Sequence, residues 1–285
     1  ELPPGDYLTS YMATLEVGGD EVDQEQIEDL RAMFELDKPV AYRYLKWVGL
    51  VWFTTFKEAD RGLMQGDMGL SMESQNHVND IVGDRLILTL SISLFALLFT
   101  WSIALPVGIY SAVRQYSAGD YIATFIGFIG MSVPSFLLAL ILMYLGNRFF
   151  GIGITGLFSA EFVAQPYWNG AKVWDLLKHV WVPVVVVGFS GTAGMIRIMR
   201  GNLLDELNKP YVTTARAKGV RPLKLLIKYP VRLALNPFVS GIGTLFPQLI
   251  SGGAIVALIL SLPTVGPLLL KALQMEDMYL AGSML

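Results

Sequence analysis

The chain has 285 residues, of which 53% are hydrophobic and only 16% are charged. Ordinary soluble domains carry about 25% charged residues, and the mean hydropathy here is positive at +0.51, so the composition indicates a membrane protein and argues against a soluble enzyme. Because the sequence contains no cysteine, disulfides, thiol nucleophiles and cysteine-based zinc sites are excluded.

Residues 1–85 are acidic and amphipathic, with 17 acidic and 7 basic residues. Apolar side chains recur there at helical spacing in two places, which predicts two helices. The second helix is expected to carry one apolar stripe made of Val40, Tyr44, Trp47, Val48, Val51 and Trp52. We expect this stripe to pack against the membrane surface or against membrane helices.

Residues 86–285 are predicted to form a transmembrane core. A membrane-crossing helix needs about 20 apolar residues. The charge-poor runs predict spans at about 86–113, 121–147, 180–198 and 237–261, and residues 279–285 are expected to begin another. Pro106, Pro134 and Pro247 fall inside these spans. Because proline removes a backbone hydrogen bond and kinks a helix, we predict bends at these three positions.

The distribution of lysine and arginine predicts the orientation. Residues 197–232 hold 9 basic and 2 acidic residues, and short loops rich in Lys and Arg face the cytoplasm. If the spans alternate from there, 149–178 and 1–85 lie outside and 114–120 lies inside. Since the sequence starts at Glu1 without a signal-peptide pattern, an outside segment 1–85 leads us to expect a further span before it.

Several kinds of chemistry have no candidate residues. No G-x-x-x-x-G-K-[ST] phosphate loop occurs, and the two isolated histidines make a metal site improbable. A membrane enzyme is not indicated, because the sequence offers no candidate set of catalytic acid, base or metal ligands. The three cleanest spans carry no charge, which disfavours an ion-coupled secondary transporter, although sodium sites can use backbone carbonyls.

The stretch YVTTARAKGVRPLKLLIKYP, residues 211–230, holds five Lys or Arg and no acid. Pro210 is placed to start a helix that Gly219 ends, and a second short helix follows from Pro222 to Pro230. Ala215 and Ala217 are small enough for a partner to approach closely. Three interpretations stay open: a loop that only sets topology, a surface that binds anionic lipid in a non-transporting scaffold, and a docking element.

The sequence YVTTARAKG resembles the EAA loop of ABC-importer permeases, and with the preceding RIMRGNLLDELNKPYV it resembles the dipeptide/oligopeptide permease family. The resemblance continues in GDMGLSM, GMSVPSFLLAL, HVWVPVVVVG and LSLPTVGPLLLKALQMEDM, in the family's order. It implies an all-α membrane fold, the transmembrane domain of a type I ABC importer with a helical extracytoplasmic insertion at 1–85 and a cytoplasmic coupling loop at 199–235. Relative to the family's six spans, the first and most of the last are expected to be missing.

The resemblance also implies a set of ATPase-coupling residues, whose helix docks on the nucleotide-binding subunit. These are Tyr211, Thr213, Thr214, Ala215, Arg216, Ala217, Lys218 and Gly219. Thr213 stands where the motif has its Glu, so docking must depend on shape and on Arg216 and Lys218. Pro106, Pro134 and Pro247 are the corresponding candidate bends in the translocation path.

By the same resemblance, the chain is a transport subunit and not an enzyme. The expected partners are a homologous second permease subunit, two ABC ATPase subunits that carry ATP and Mg²⁺, an extracytoplasmic substrate-binding protein and membrane lipid, with no nucleic acid and no cofactor on this chain. The expected location is the cytoplasmic (inner) membrane of a bacterium or archaeon. Di- or oligopeptides are the expected substrates, with an oligosaccharide or nickel importer and an ion-coupled carrier as alternatives.

Overall fold

The computed structural model describes residues 8, 12, 24–150, 155–163 and 169–285. Among these residues the regular elements are helices, and the β-type pairing is an isolated antiparallel bridge between Leu70 and His77. The predicted all-α fold class is confirmed.

The helices follow the chain in this order: α1 Gln24–Met33, α2 Val40–Val48, α3 Trp52–Thr55, α4 Val78–Val113, α5 Ala118–Ser132, α6 Ser135–Phe150, α7 Ala160–Val163, α8 Gly170–Leu207, α9 Pro210–Ala217, α10 Pro222–Lys228, α11 Pro230–Ala234, α12 Asn236–Ile259, α13 Val265–Gln274 and α14 Met278–Met284. Two 3₁₀ turns, Glu58–Asp60 and Leu63–Gln65, lie between α3 and α4.

The chain divides into two compact units. One combines Glu1–Leu88 with Pro267–Leu285, and the other is Thr89–Gly266. The boundary near residue 88 lies close to the expected end of the outer segment at 85. The sequence did not indicate that the C-terminal residues, including α14 at the site of the expected last span, join that segment.

In the first unit, Leu8, Leu30, Phe34 and Met72 form a buried apolar cluster. The fully buried Asp277 caps α14, since its carboxylate accepts a hydrogen bond from the Leu280 N–H at 3.1 Å. Its second oxygen accepts the Ser71 hydroxyl at 2.6 Å, which fixes the C-terminal helix to the outer segment.

The predicted apolar stripe on α2 packs only in part. Val40 is 55% exposed and Tyr44 is 59% exposed, so the N-terminal half of the stripe faces outward. Trp47 is half-buried, because its ring lies over Gly282, where an added Cβ would come within 2.8 Å of the ring.

Two described helices, α4 and α8, are long and apolar enough to cross a membrane. They contain 36 and 38 residues. At 1.5 Å per residue each is over 50 Å long, so both extend well past a hydrocarbon core about 30 Å thick. The first and third spans therefore belong to longer helices than the predicted 86–113 and 180–198.

A bend was expected at Pro134 within the predicted span at 121–147, and the structure has a sharp break there. The residues of this span form α5 and α6, which meet at an angle of 98°. The break falls at Val133, whose φ of −87° and ψ of 117° are extended, and at Pro134. Proline cannot donate to the helix ladder and pushes the residue before it out of the helical region, which explains the break.

Helix α8 is the central helix of the second unit and contacts α5, α6, α11 and α12. The charge-free α12 has 24 residues and coincides with most of the predicted span at 237–261. These helices position the loop that follows α8.

Candidate functional site

The loop between α8 and α12 is built from three short helices that each begin with a proline. Lys209 is extended, with φ −72° and ψ 147°, and Pro210 occupies the first turn of α9. Proline suits this position because its missing N–H would have no partner within the helix. The predicted helix from Pro210 to the region of Gly219 is therefore present.

One face of α9 is buried against α10. Val212 is 1% exposed, Ala215 9% and Leu225 5%, and the three form a small apolar cluster. Val212 and Ala215 are three residues apart and so lie on the same side of the helix. Ala215 was expected to leave room for a partner; instead its small side chain leaves room for Leu225 of the same chain.

The opposite face of α9 is exposed. It carries Thr213, Thr214, Arg216, Ala217 and Lys218. Thr213 and Ala217 are four residues apart, with Arg216 beside them, and together they form a shallow face of small side chains with a basic edge. Arg216 and Lys218 are both exposed, and neither forms an ion pair with another described residue.

Gly219 ends α9 in the left-handed region, with φ +75°. The Gly219 N–H donates to the Arg216 carbonyl at 3.0 Å, and the Val220 N–H donates to the Ala215 carbonyl at 3.3 Å. An added Cβ would meet no atom within 4 Å. The requirement for glycine is thus conformational and not one of space.

Tyr211 ties α9 to the end of α8. Its hydroxyl donates to a Glu206 carboxylate oxygen at 2.6 Å. Burial, followed by this hydrogen bond, raises the pKa of Tyr211 to about 12. The hydroxyl therefore stays protonated and continues to donate throughout the physiological range.

A second apolar cluster joins this loop to the membrane helices. It includes Met199 and Leu203 of α8, Ala112 of α4, and Phe238 of α12, with Val231 and Ala234 of α11. Leu226 of α10 packs against it. The loop is therefore linked to α4, α8 and α12 through packed side chains.

Sequence reasoning missed an ion pair at the same end of α8. Arg200 donates from Nε to Asp120 Oδ1 at 3.0 Å and from a terminal nitrogen to Oδ2 at 2.9 Å. Asp120 is 3% exposed and also accepts the Tyr116 N–H at 2.9 Å and the Ser111 hydroxyl. The available signal was Ser117 with Asp120 three residues later, a helix-start pattern, which predicts a cap but not the distant arginine.

The three predicted proline bends have different surroundings. Pro106 lies inside the unbroken α4, Pro134 lies in the break between α5 and α6, and Pro247 lies inside α12. Pro106 lines an apolar cavity of about 480 Å³ with Tyr110, Ala123 and Phe189. Pro134 is not among the described residues that line it. A role in the translocation path stays a prediction for all three.

Within the described ranges, no group of three or more His, Cys, Asp or Glu side chains could hold a metal ion. The arrangement at 199–235 consists of a small helix that is packed on one face, exposed on the other, and linked to α4, α8 and α12, which is suited to transmitting a movement.

The sequence matches known transport proteins over almost its whole length. The family model described as binding-protein-dependent transport system inner membrane component matches residues 104–283. The chain is 31% identical over 275 residues to the oligopeptide transport system permease protein AppB of Bacillus subtilis (strain 168), covering 96% of this chain and 79% of that protein.

Two further relatives are similar to a lesser degree. The dipeptide transport system permease protein DppB of Escherichia coli (strain K12) is 28% identical over 271 residues, covering 90% of this chain and 76% of that protein. The glutathione transport system permease protein GsiC of Escherichia coli O6:H1 (strain CFT073) is 28% identical over 261 residues, covering 92% of this chain and 76% of that protein.

Proposed function

This chain belongs to the family of binding-protein-dependent transport system inner membrane components, and on that premise we propose that it forms half of the pore of an ATP-driven importer of di- or oligopeptides. Membership makes it a permease subunit of an ABC importer and not an enzyme. The names of its relatives, an oligopeptide permease and a dipeptide permease, support peptides as the substrate class over oligosaccharides or nickel.

Family membership implies an ATPase and a substrate-binding protein as partners in a multi-pass membrane assembly. We propose two ATPase subunits that carry ATP and Mg²⁺ on the cytoplasmic side, a homologous second permease subunit, and a binding protein that docks outside. The excess of basic residues at 197–232 supports a cytoplasmic position for this loop. The bacterial relatives support a bacterial or archaeal cytoplasmic membrane.

The exposed face of α9 is the proposed ATPase contact. The observation that carries this proposal is the division of α9 into a buried face, at Val212 and Ala215, and an exposed face of small side chains, at Thr213 and Ala217. A partner that docks on the exposed face would move α9, and through the Tyr211–Glu206 hydrogen bond it would move α8. Coupling requires that this contact differ in energy between the inward-open and outward-open states.

The test replaces one exposed alanine by a bulky residue. Ala217→Trp should block docking while leaving the buried face of α9 intact. In vesicles that contain the assembled transporter and its binding protein, we expect loss of peptide uptake and loss of ATPase stimulation by the loaded binding protein. Ala118→Trp is the matched control, because Ala118 is also exposed and lies at the start of α5, outside the loop.

Ala215→Trp serves as a contrast. Ala215 is 9% exposed and faces Leu225, so a tryptophan there should unpack α9 from α10. Overpacking costs about 1–3 kcal/mol or more, and we expect poorer assembly and lower thermal stability in addition to lost transport. Full uptake and full ATPase stimulation in Ala217→Trp would contradict a docking role for this face.

Uptake measurements also test the substrate class. Vesicles with the wild-type assembly should accumulate labelled di- and tripeptides when ATP is inside, and should accumulate neither a labelled oligosaccharide nor Ni²⁺. ATP-dependent uptake of either of the last two without peptide uptake would refute the peptide assignment but leave the coupling proposal untouched.

A further inference from the structure

Helix α10 exposes two large aliphatic side chains. Leu223 is 69% exposed and Ile227 is 59% exposed. They are four residues apart and so share one face of the helix. The other side of α10 is packed: Leu225 is 5% exposed in the cluster with α9, and Leu226 contacts the cluster at the ends of the membrane helices.

These contacts fix the level of α10 relative to the membrane helices. The cluster touched by Leu226 contains Ala112, which immediately precedes the last residue of α4, and Phe238, the third residue of the charge-free α12. Helix α10 therefore lies where apolar helices end and the basic loop begins.

The charges around the aliphatic face are all positive. Arg221, Lys224 and Lys228 are exposed, and the sequence contains no Asp or Glu between Glu206 and Glu276. Aliphatic side chains bordered by Lys and Arg are the chemistry of segments that lie in the surface of a membrane with anionic lipids. The exposed face of α9 differs, since it carries small and polar side chains with no large aliphatic one.

We propose that α10 is an interfacial anchor that binds anionic phospholipid of the cytoplasmic leaflet. Leu223 and Ile227 enter the boundary of the acyl chains, and Lys224 and Lys228 contact head-group phosphates. The anchor holds one side of the loop at the membrane while the exposed face of α9 engages a soluble partner. The choice of leaflet rests on the cytoplasmic orientation proposed above for 197–232.

The absence of cysteine allows a direct test with single fluorescent labels. Cysteine is introduced at Leu223, at Ile227 and, as the control on α9, at Thr213. The complete transporter, with its ATPase subunits, is placed in nanodiscs that contain lipids brominated on their acyl chains. We expect quenching at the two α10 positions and none at Thr213, because the exposed face of α9 carries no large aliphatic side chain.

The charge requirement is tested on the Leu223 label. Quenching should be stronger in nanodiscs with phosphatidylglycerol than in nanodiscs with phosphatidylcholine alone. Lys224→Gln combined with Lys228→Gln should abolish this difference. Lys209→Gln combined with Lys218→Gln removes the same charge from the ends of α9 and should leave the difference intact.

Each other outcome overturns the proposal in a distinct way. If the labels on α10 escape the brominated lipids but are shielded by the ATPase subunits, the aliphatic face is a protein contact. If aqueous quencher reaches them with and without those subunits, it is a solvent face. Equal quenching in neutral and anionic nanodiscs would refute the head-group contact. None of these results bears on the uptake and ATPase stimulation measured for Ala217→Trp, so failure of the anchor and failure of ATPase docking remain distinguishable.

Discussion

The Asp120–Arg200 ion pair joins the start of α5 to the C-terminal part of α8, and its loss should be costly. Two hydrogen bonds, at 3.0 and 2.9 Å, form a forked contact between the guanidinium and the carboxylate. The Asp120 side chain is 4% exposed and the Arg200 side chain 27% exposed. Removal of the arginine would thus leave a buried carboxylate with only the Ser111 hydroxyl and the Tyr116 N–H as donors.

The magnitude follows from these contacts. A hydrogen bond to a charged group contributes about 1.5–3 kcal/mol, and breaking a buried pair from one side costs about 3–5 kcal/mol. Because Arg200 is partly exposed, we expect Arg200→Ala to lie near the lower end, at about 3 kcal/mol. Arg200→Lys keeps the charge but loses the forked geometry, so it should cost about half as much.

The assay is a double-mutant cycle on Asp120→Ala, Arg200→Ala and the double variant. Unfolding is followed by circular dichroism as SDS is added to the protein in mixed micelles, since the chain has no cysteine for thiol-reactive stability dyes. The double variant buries no unpaired charge. We therefore expect its loss of unfolding free energy to be about 2 kcal/mol smaller than the sum of the losses in the two single variants. If each single variant loses less than about 0.5 kcal/mol of stability and the two losses simply add, the ion pair does not stabilise the fold.

Two further predictions concern the first unit. Trp47→Ala removes the ring that lies over Gly282. Because Trp47 is only half-buried, we expect thermal unfolding to show a loss of stability below the roughly 3–5 kcal/mol of a fully buried aromatic. Tyr44→Ala, at an exposed position, is the control and should change stability little. The Thr55 hydroxyl donates to Asp60 at 2.7 Å and, with help from a nearby lysine, holds the pKa of Asp60 below its usual value. The ionised Asp60 therefore stabilises the fold at neutral pH, and Thr55→Val should be less stable than the wild type above about pH 4. That difference should disappear as the pH falls through the lowered native pKa, and a constant difference at all pH values would contradict the role of Asp60.

Local patterns predicted much of the loop. Pro210 and Gly219 bound α9 as expected, because a proline suits a first turn and a glycine accepts the left-handed φ of +75° at a helix end. The sequence analysis did not predict which face of α9 is buried. The small size of Ala215 suggested a docking surface, whereas its three-residue spacing from Val212 already placed it on the apolar side.

Other features could not be predicted because they depend on contacts between distant residues. Asp120 and Arg200 are 80 residues apart in the sequence, and each is unremarkable in its own segment. The position of the break at Pro134 was predicted, because a proline kinks a helix. Its size of 98° was not predicted, although a proline also displaces its preceding residue, here Val133, from helical geometry.

From the polar contacts at the two ends of α8 we infer that the bent pair α5–α6 crosses the membrane region once. Near one end, Arg200 holds Asp120 at the start of α5. Near the other, Asp175 accepts the N–H of Ser159 at 2.7 Å, and Ser159 follows α6. Asp175 and Arg200 are separated by about 38 Å along the unbroken α8, which exceeds a hydrocarbon core of about 30 Å.

The backbone at the break is compatible with that crossing. The Val133 N–H donates to the Ile129 carbonyl at 3.0 Å, and the Leu137 N–H donates to the Pro134 carbonyl at 3.0 Å. Polar backbone groups within a membrane must be paired inside the protein, and these bonds pair them on both sides of the bend. Since α5 has 15 residues and is about 22 Å long, it cannot cross alone. A re-entrant loop would return the chain to the Arg200 end, whereas Ser159 lies at the Asp175 end. We infer that α5 and α6 together form one bent span, which keeps 114–120 on the same side as the coupling loop.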